Sequence, residues 1–177
     1  MTVKQNAEAA VAELAALVAA LDDAQLDAAA QIVADAPRLF FTGIGRSGLS
    51  ARAVAMRLMH IGKELYVVGD VATPAIMAGD VLVALTSSGR GSVLEQARAA
   101  LAHGARVVTF STGENDLTAL SEVFVTLPAR TAVPTEQHAG SLFEQGCLVV
   151  GDALCRAVQA RLGVPTSELD ARHANLL

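Results

Sequence analysis

The stretch Phe40-Phe41-Thr42-Gly43-Ile44-Gly45-Arg46-Ser47-Gly48 decides the fold. Phe40 to Thr42 end a buried strand, the glycines make a tight turn, and the residues after them open a helix. Gly43 and Gly45 let the backbone turn sharply and come close to a ligand. The amides that begin the next helix have no intrahelical partner and point outward. Phosphate suits such a site, because unpaired N–H groups and the helix dipole both favour negative charge. Ser47 adds a hydroxyl and Arg46 a fixed positive charge at the same turn. The spacing Gly43-x-Gly45-x-x-Gly48 also matches the dinucleotide fingerprint, which needs an acidic residue about 20 positions on to hold a ribose. Asp70 is the candidate for that role.

Composition narrows the surroundings. A chain of 177 residues is long enough to bury a core as one domain. Apolar residues make up 53% of it but aromatic ones only 3%, so the core is expected to be aliphatic. The formal charge of −5, with no basic run, argues against nucleic acid, which needs clustered Lys and Arg. Glu8 and Glu13 interrupt the apolar N-terminus, so no signal peptide is expected there. No segment is long and apolar enough to span a membrane, and a cytoplasmic protein is expected. Cys147 and Cys155 lack metal-type spacing and read as small buried apolar side chains.

Outward from the first glycine turn, the pattern predicts alternating elements. Residues 3–21 read as an amphipathic helix with Val11, Leu14, Val18 and Leu21 on one stripe. Asp22 caps a second helix, with Gln25 completing a capping-box-like pattern, and Pro37 follows its end near Asp35. These helices either cover the sheet or, for the first, pack on another subunit. Strands are expected at 38–42, 65–68, 81–85, 106–110 and 123–127. Helices are expected at 49–61, 93–103, 116–121 and 140–162, with an irregular loop at 128–139. The whole is expected to be one domain: N-terminal helices (1–36), an α/β core (37–163) and a short tail (164–177). Strands alternating with helices imply a parallel sheet of about five strands in a three-layer αβα sandwich.

A second loop, Thr86-Ser87-Ser88-Gly89-Arg90-Gly91-Ser92, also follows a buried strand and opens a helix. Ligands in such sheets bind beyond the carboxyl ends of the strands, where connections diverge, so the two loops are expected to meet at one pocket. Ser47, Thr86, Ser88 and Ser92 are then candidates to surround one phosphate. Two such loops favour a phosphorylated small molecule over a dinucleotide.

The pair GIGRSG and TSSGRGS resembles the phosphosugar-binding pattern of sugar isomerase (SIS) domains. AMRLMHIG at 55–62, VATPAI at 71–76, AGSLFE at 139–144 and the C-terminal ARHANLL narrow the resemblance to the 6-phospho-3-hexuloisomerase family. It spans about residue 38 to the C-terminus. One departure stands in the second loop, where that family usually reads Ser-Gly-Ser-Gly-x-Thr. Thr86 and Ser87 occupy its first two positions, Gly91 stands at the threonine, and Ser92 is a candidate replacement for the missing hydroxyl.

The resemblance implies an isomerase, flavodoxin-like in fold, interconverting D-arabino-hex-3-ulose 6-phosphate and D-fructose 6-phosphate through an enediol, in the ribulose monophosphate pathway. It implies no cofactor and no metal. Glu144, early in the long helix, is the implied base, and His173 in the tail an acid toward the sugar oxygens. Gly45, Arg46, Ser47, Thr86, Ser87, Ser88 and Ser92 are the implied phosphate or substrate ligands, with His60 and Arg172 as further candidates. A homotetramer with a shared active site is implied, the tail of one subunit reaching another's pocket. The alternatives are a sister aldose–ketose isomerase, such as one acting on arabinose 5-phosphate, and a non-catalytic phosphosugar sensor.

Overall fold

The structure is a computed structural model and describes residues 1–176. Its five strands, β1 (Leu39–Thr42), β2 (Leu65–Val67), β3 (Val81–Leu85), β4 (Arg106–Ser111) and β5 (Val123–Thr126), form one parallel sheet in the order β2-β1-β3-β4-β5. The helices are α1 (Val3–Ala19), α2 (Asp23–Asp35), α3 (Arg46–Ile61), α4 (Ser92–Ala102), α5 (Ser141–Leu162) and α6 (Thr166–Ala171), with a 3₁₀ turn at Thr118–Leu120. The expected αβα sandwich with a five-stranded parallel sheet is therefore present.

Side chains alternate across the central strands. Leu39, Phe41, Val81, Val83 and Leu85 face one core, with α2, α3 and α5. Phe40, Leu82 and Ala84 face a second core, covered by α4. The strand order reverses between β1 and β3, so α3 leaves toward one face and α4 toward the other. The turns that begin these helices open side by side at the strands' carboxyl ends, where a ligand crevice forms in such sheets.

Several local expectations need correction. In α1 the fully buried residue is Leu17; Leu14 and Leu21 of the expected stripe pack against the core, while Val11 and Val18 are 66% and 44% exposed. The helix lies on α5 rather than on the sheet, so only part of its apolar face is covered. Asp22 does cap α2 through the amides of Ala24 and Gln25. Gln25 does not close a capping box; its Oε1 accepts from the Thr126 amide at 2.9 Å and ties α2 to the edge strand β5. The expected helix at 116–121 is only the 3₁₀ turn, because Asn115 and Thr118 bond each other's neighbourhood through side chains. The tail is not featureless: α6 occupies its first half.

Both cysteines are buried, and burial raises their thiol pKa values, that of Cys155 to about 12. Neither is poised as a nucleophile.

Candidate active site

The first turn is built by glycines in distinct roles. A Cβ on Gly48 would lie 2.5 Å from the Gly43 carbonyl oxygen, and one on Gly43 would lie 2.9 Å from the Leu85 carbonyl oxygen. These two positions let β1, β3 and the start of α3 close on one another. Gly45, at φ 61° and ψ −135°, caps α3 in a conformation that side chains disfavour. The helix therefore begins at Arg46, three residues before the expected start, and places Arg46 and Ser47 in its first turn.

The second turn repeats this geometry. Gly91 caps α4 at φ 65° and ψ −141°, and neither cap makes a side-chain hydrogen bond. Both helices thus present unpaired amides at their starts. The loop between β3 and α4 is held from within: the Gly89 amide donates to Thr86 Oγ1 at 3.2 Å, and Thr112 Oγ1 donates to the Ser87 carbonyl at 2.9 Å. A Cβ on Gly89 would lie 2.1 Å from Asn115 Oδ1, so Asn115 packs directly against the turn.

Between the turns lies an open cleft of about 330 Å³, whose lining includes Ser47, Thr86, Ser87, Ser88, Arg90 and Ser92. The hydroxyls expected around one phosphate are brought together here. Ser47 is only 9% exposed, lines the cleft, and its hydroxyl has no hydrogen-bond partner among the described residues. That Arg90 lines the cleft is not legible from the loop pattern, where it holds the variable position; its signal is the Gly-Arg pair that both turns share.

Glu144 lies in the first turn of α5. Its carboxylate accepts from Nε of Arg46, and its backbone carbonyl accepts from Ser50 Oγ at 3.0 Å. The Glu144 side chain is 14% exposed and that of Arg46 is 64% exposed. The base candidate is thus joined to the first glycine turn through Arg46. Close packing of α5 on α3 makes this possible. A Cβ on Gly151 would come within 2.2 Å of Val54 Cγ2, so that glycine sets the helix spacing.

The tail candidates lie elsewhere. His173 stacks on His60 with ring centroids 5.1 Å apart and planes 15° apart. Arg172 donates to the His60 carbonyl at 3.2 Å and pairs with Glu168 at 2.8 Å. His60 is near the last turn of α3, 14 residues after Arg46, or about 21 Å along the helix. Within one chain, His60, Arg172 and His173 do not meet Glu144. Burial, then the His173 and Arg57 charges, hold the His60 pKa below its ordinary value.

Asp70 does not line the cleft. It forms a two-pronged pair with Arg52, at 2.6 and 3.0 Å, which lowers its pKa. A carboxylate so engaged is not presented to a ribose, and the nucleotide reading loses its required acid.

The loop expected at 128–139 also borders the site. With Ser87 and Thr112 it encloses a neighbouring cavity of about 230 Å³, into which Arg130 and Thr131 also contribute. Glu13 of α1 holds this loop by accepting from Thr135 Oγ1, the Glu136 amide and Gln137 Nε2 at 2.6, 2.9 and 2.8 Å.

A parallel β2-β1-β3-β4-β5 sheet with two hydroxyl-rich turns at its switch point defines a phosphosugar-binding class of domain. The chain belongs to the SIS domain family, whose model matches residues 32–143. It is 40% identical over 171 residues to the 3-hexulose-6-phosphate isomerase of Mycobacterium gastri, with 93% of this chain and 86% of that one covered. It is 30% identical over 172 residues to the 3-hexulose-6-phosphate isomerase of Bacillus subtilis, covering 93% of each chain. A crystal structure of a Methanococcus jannaschii protein, from which a function of 3-hexulose-6-phosphate isomerase was inferred, matches with a TM-score of 0.86 at 27% identity. It covers 98% of this chain and 99% of that one.

Proposed function

We infer that the chain interconverts D-arabino-hex-3-ulose 6-phosphate and D-fructose 6-phosphate. The observation that carries this reading is Glu144 bonded to Arg46 beside the phosphate cleft, in a chain 40% identical to an enzyme of that name. The cleft hydroxyls and the amides at the start of α4 hold the phosphate. That fixes the sugar chain so that C2 and C3 come within reach of the Glu144 carboxylate.

The chemistry then runs in three proton transfers, two at carbon and one between the oxygens. Glu144 takes the proton from C2, and the C–H electron pair forms the C2–C3 double bond while the C3 carbonyl oxygen gains charge. A proton passes between the two oxygens, the C2 carbonyl forms, and Glu144 returns its proton to C3. One carboxylate serving both carbons accounts for the exchange at carbon. Arg46 keeps that carboxylate in place and offers further N–H groups to the enediolate oxygen.

His173 is assigned to proton transfer at the sugar oxygens, and this assignment requires a second copy of the chain. The exposed Val3, Val11 and Val18 of α1 favour such an assembly, since they present an apolar stripe with no cover. A homotetramer with a shared site, working in the cytoplasm, fits these features. No described helix is long and apolar enough to cross a membrane.

The test is a coupled assay. Hexulose-phosphate synthase, formaldehyde and ribulose 5-phosphate supply the substrate, and fructose 6-phosphate is read out. Turnover by the folded chain supports the reading. Turnover of arabinose 5-phosphate instead would move it to the sister isomerase, and phosphosugar binding without any turnover would move it to a sensor.

A further inference from the structure

The two glycine turns share a backbone but not a placement of their arginines. Arg46 follows the cap glycine of α3, whereas Arg90 precedes the cap glycine of α4. Arg46 is committed to the Glu144 carboxylate. Arg90 is exposed, lines the cleft, and has no ion-pair or hydrogen-bond partner among the described residues. It is also the one charged residue in the lining of that cleft, among the described residues.

A phosphate monoester carries close to two negative charges at neutral pH. Hydroxyls and helix amides supply partial charges, and a full positive charge adds a stronger hydrogen bond. Ser47, nine-tenths buried and without a partner, marks the cleft as built for a ligand rather than as a gap in packing.

We propose that Arg90 is the charge-bearing phosphate ligand of the site, and that Arg46 serves the base instead. This rests on the isomerase reading for the substrate, but only on the cleft for the phosphate. Arg90 also offsets the hydroxyl that is missing at Gly91: it places a guanidinium one residue ahead of the position where the related pattern has a threonine.

The experiment compares wild type with Arg90→Ala, Arg90→Lys and Arg46→Ala in two measurements. One is the coupled assay; the other is binding of inorganic phosphate by titration calorimetry. Arg90→Ala is expected to raise KM and the phosphate Kd together by about 10- to 100-fold, with kcat within about twofold, as for the loss of a hydrogen bond to a charged group. Arg90→Lys recovers part of that loss, and Arg46→Ala lowers kcat while phosphate affinity stays. Unchanged phosphate affinity in Arg90→Ala overturns the proposal, and so does an equal loss of affinity in Arg46→Ala. If wild type binds phosphate but does not turn over the hexulose phosphate, the isomerase reading fails alone. A weaker phosphate affinity in Arg90→Ala then still upholds the assignment.

Discussion

Arg46, in the first turn of α3, donates its Nε–H to the carboxylate of Glu144, in the first turn of α5, 98 residues further along the chain. The pair joins the first glycine turn to the proposed base, so on the proposed reading the phosphate end and the reacting end of one substrate are registered against each other. Glu144→Gln keeps the shape and a hydrogen-bond acceptor but removes the base. It is expected to cut kcat by about 10²- to 10⁴-fold, the usual worth of acid–base catalysis, while product binding is retained. Steady-state kinetics with a fructose 6-phosphate binding isotherm checks both halves. A variant with near-normal kcat would remove Glu144 from the proton path.

Gly151 controls the same registration from a distance. Its missing side chain lets α5 settle on Val54 of α3, where an added Cβ would lie 2.2 Å from Val54 Cγ2. Gly151→Ala gains helix propensity but overpacks this contact, and overpacking costs about 1–3 kcal/mol. The expected result is a lower urea midpoint together with a lower kcat, since α5 carries Glu144. Adding Val54→Ala makes room and is expected to restore much of both. A double variant no better than the single one would show that the helix spacing is set elsewhere.

The cleft hydroxyls are not equivalent. Ser47 is buried and unpartnered, whereas Ser88 is exposed on the loop. Both Ser47→Ala and Ser88→Ala are expected to raise KM more than they lower kcat, with Ser47→Ala giving the larger effect. Its side chain is largely buried and its hydroxyl has no protein partner, so a ligand in the cleft replaces water at that oxygen and removal of the hydroxyl is felt in binding. KM and kcat measured across both variants check this; an unchanged KM in both would count against the phosphate assignment.

The sheet, the two turns and the aliphatic core were legible in the sequence because strands covered on both faces leave continuous apolar runs, as at Val81–Leu85. The start of α3 was not. Gly48 reads as part of a turn, yet it sits inside the helix because only a glycine can lie so close to the Gly43 carbonyl. The stripe on α1 holds only in part: Leu14 and Leu21 pack against the core while Val11 and Val18 do not, because periodicity shows which residues share a face, not how much of that face is covered. Arg46 was read as a ligand of the substrate; its engagement with Glu144 depends on the α3–α5 spacing, which lies in the tertiary packing. The docking of His173 on His60 was equally hidden, since a histidine in a polar tail carries no periodic signal.

That docking makes a pH prediction. His60 is 7% exposed, its ring is stacked on His173 and near the Arg57 charge, and burial, the largest cause, lowers its pKa in the folded chain. In the unfolded chain His60 titrates near its ordinary value of about 6.5. Above that pH both states are neutral at this site and its contribution to stability is fully present. As pH falls below about 6.5, the unfolded chain takes up a proton that the folded chain resists, so stability is lost toward the depressed folded value. His60→Gln removes the titration and is expected to flatten the fall in the urea midpoint between pH 7 and pH 5. His173→Ala removes the stacked partner's charge, and the fall is expected to become shallower without vanishing, because burial remains. Urea titrations of the three proteins across that range check this. A wild-type curve no steeper than that of His60→Gln would show that the ring is protonated equally in both states.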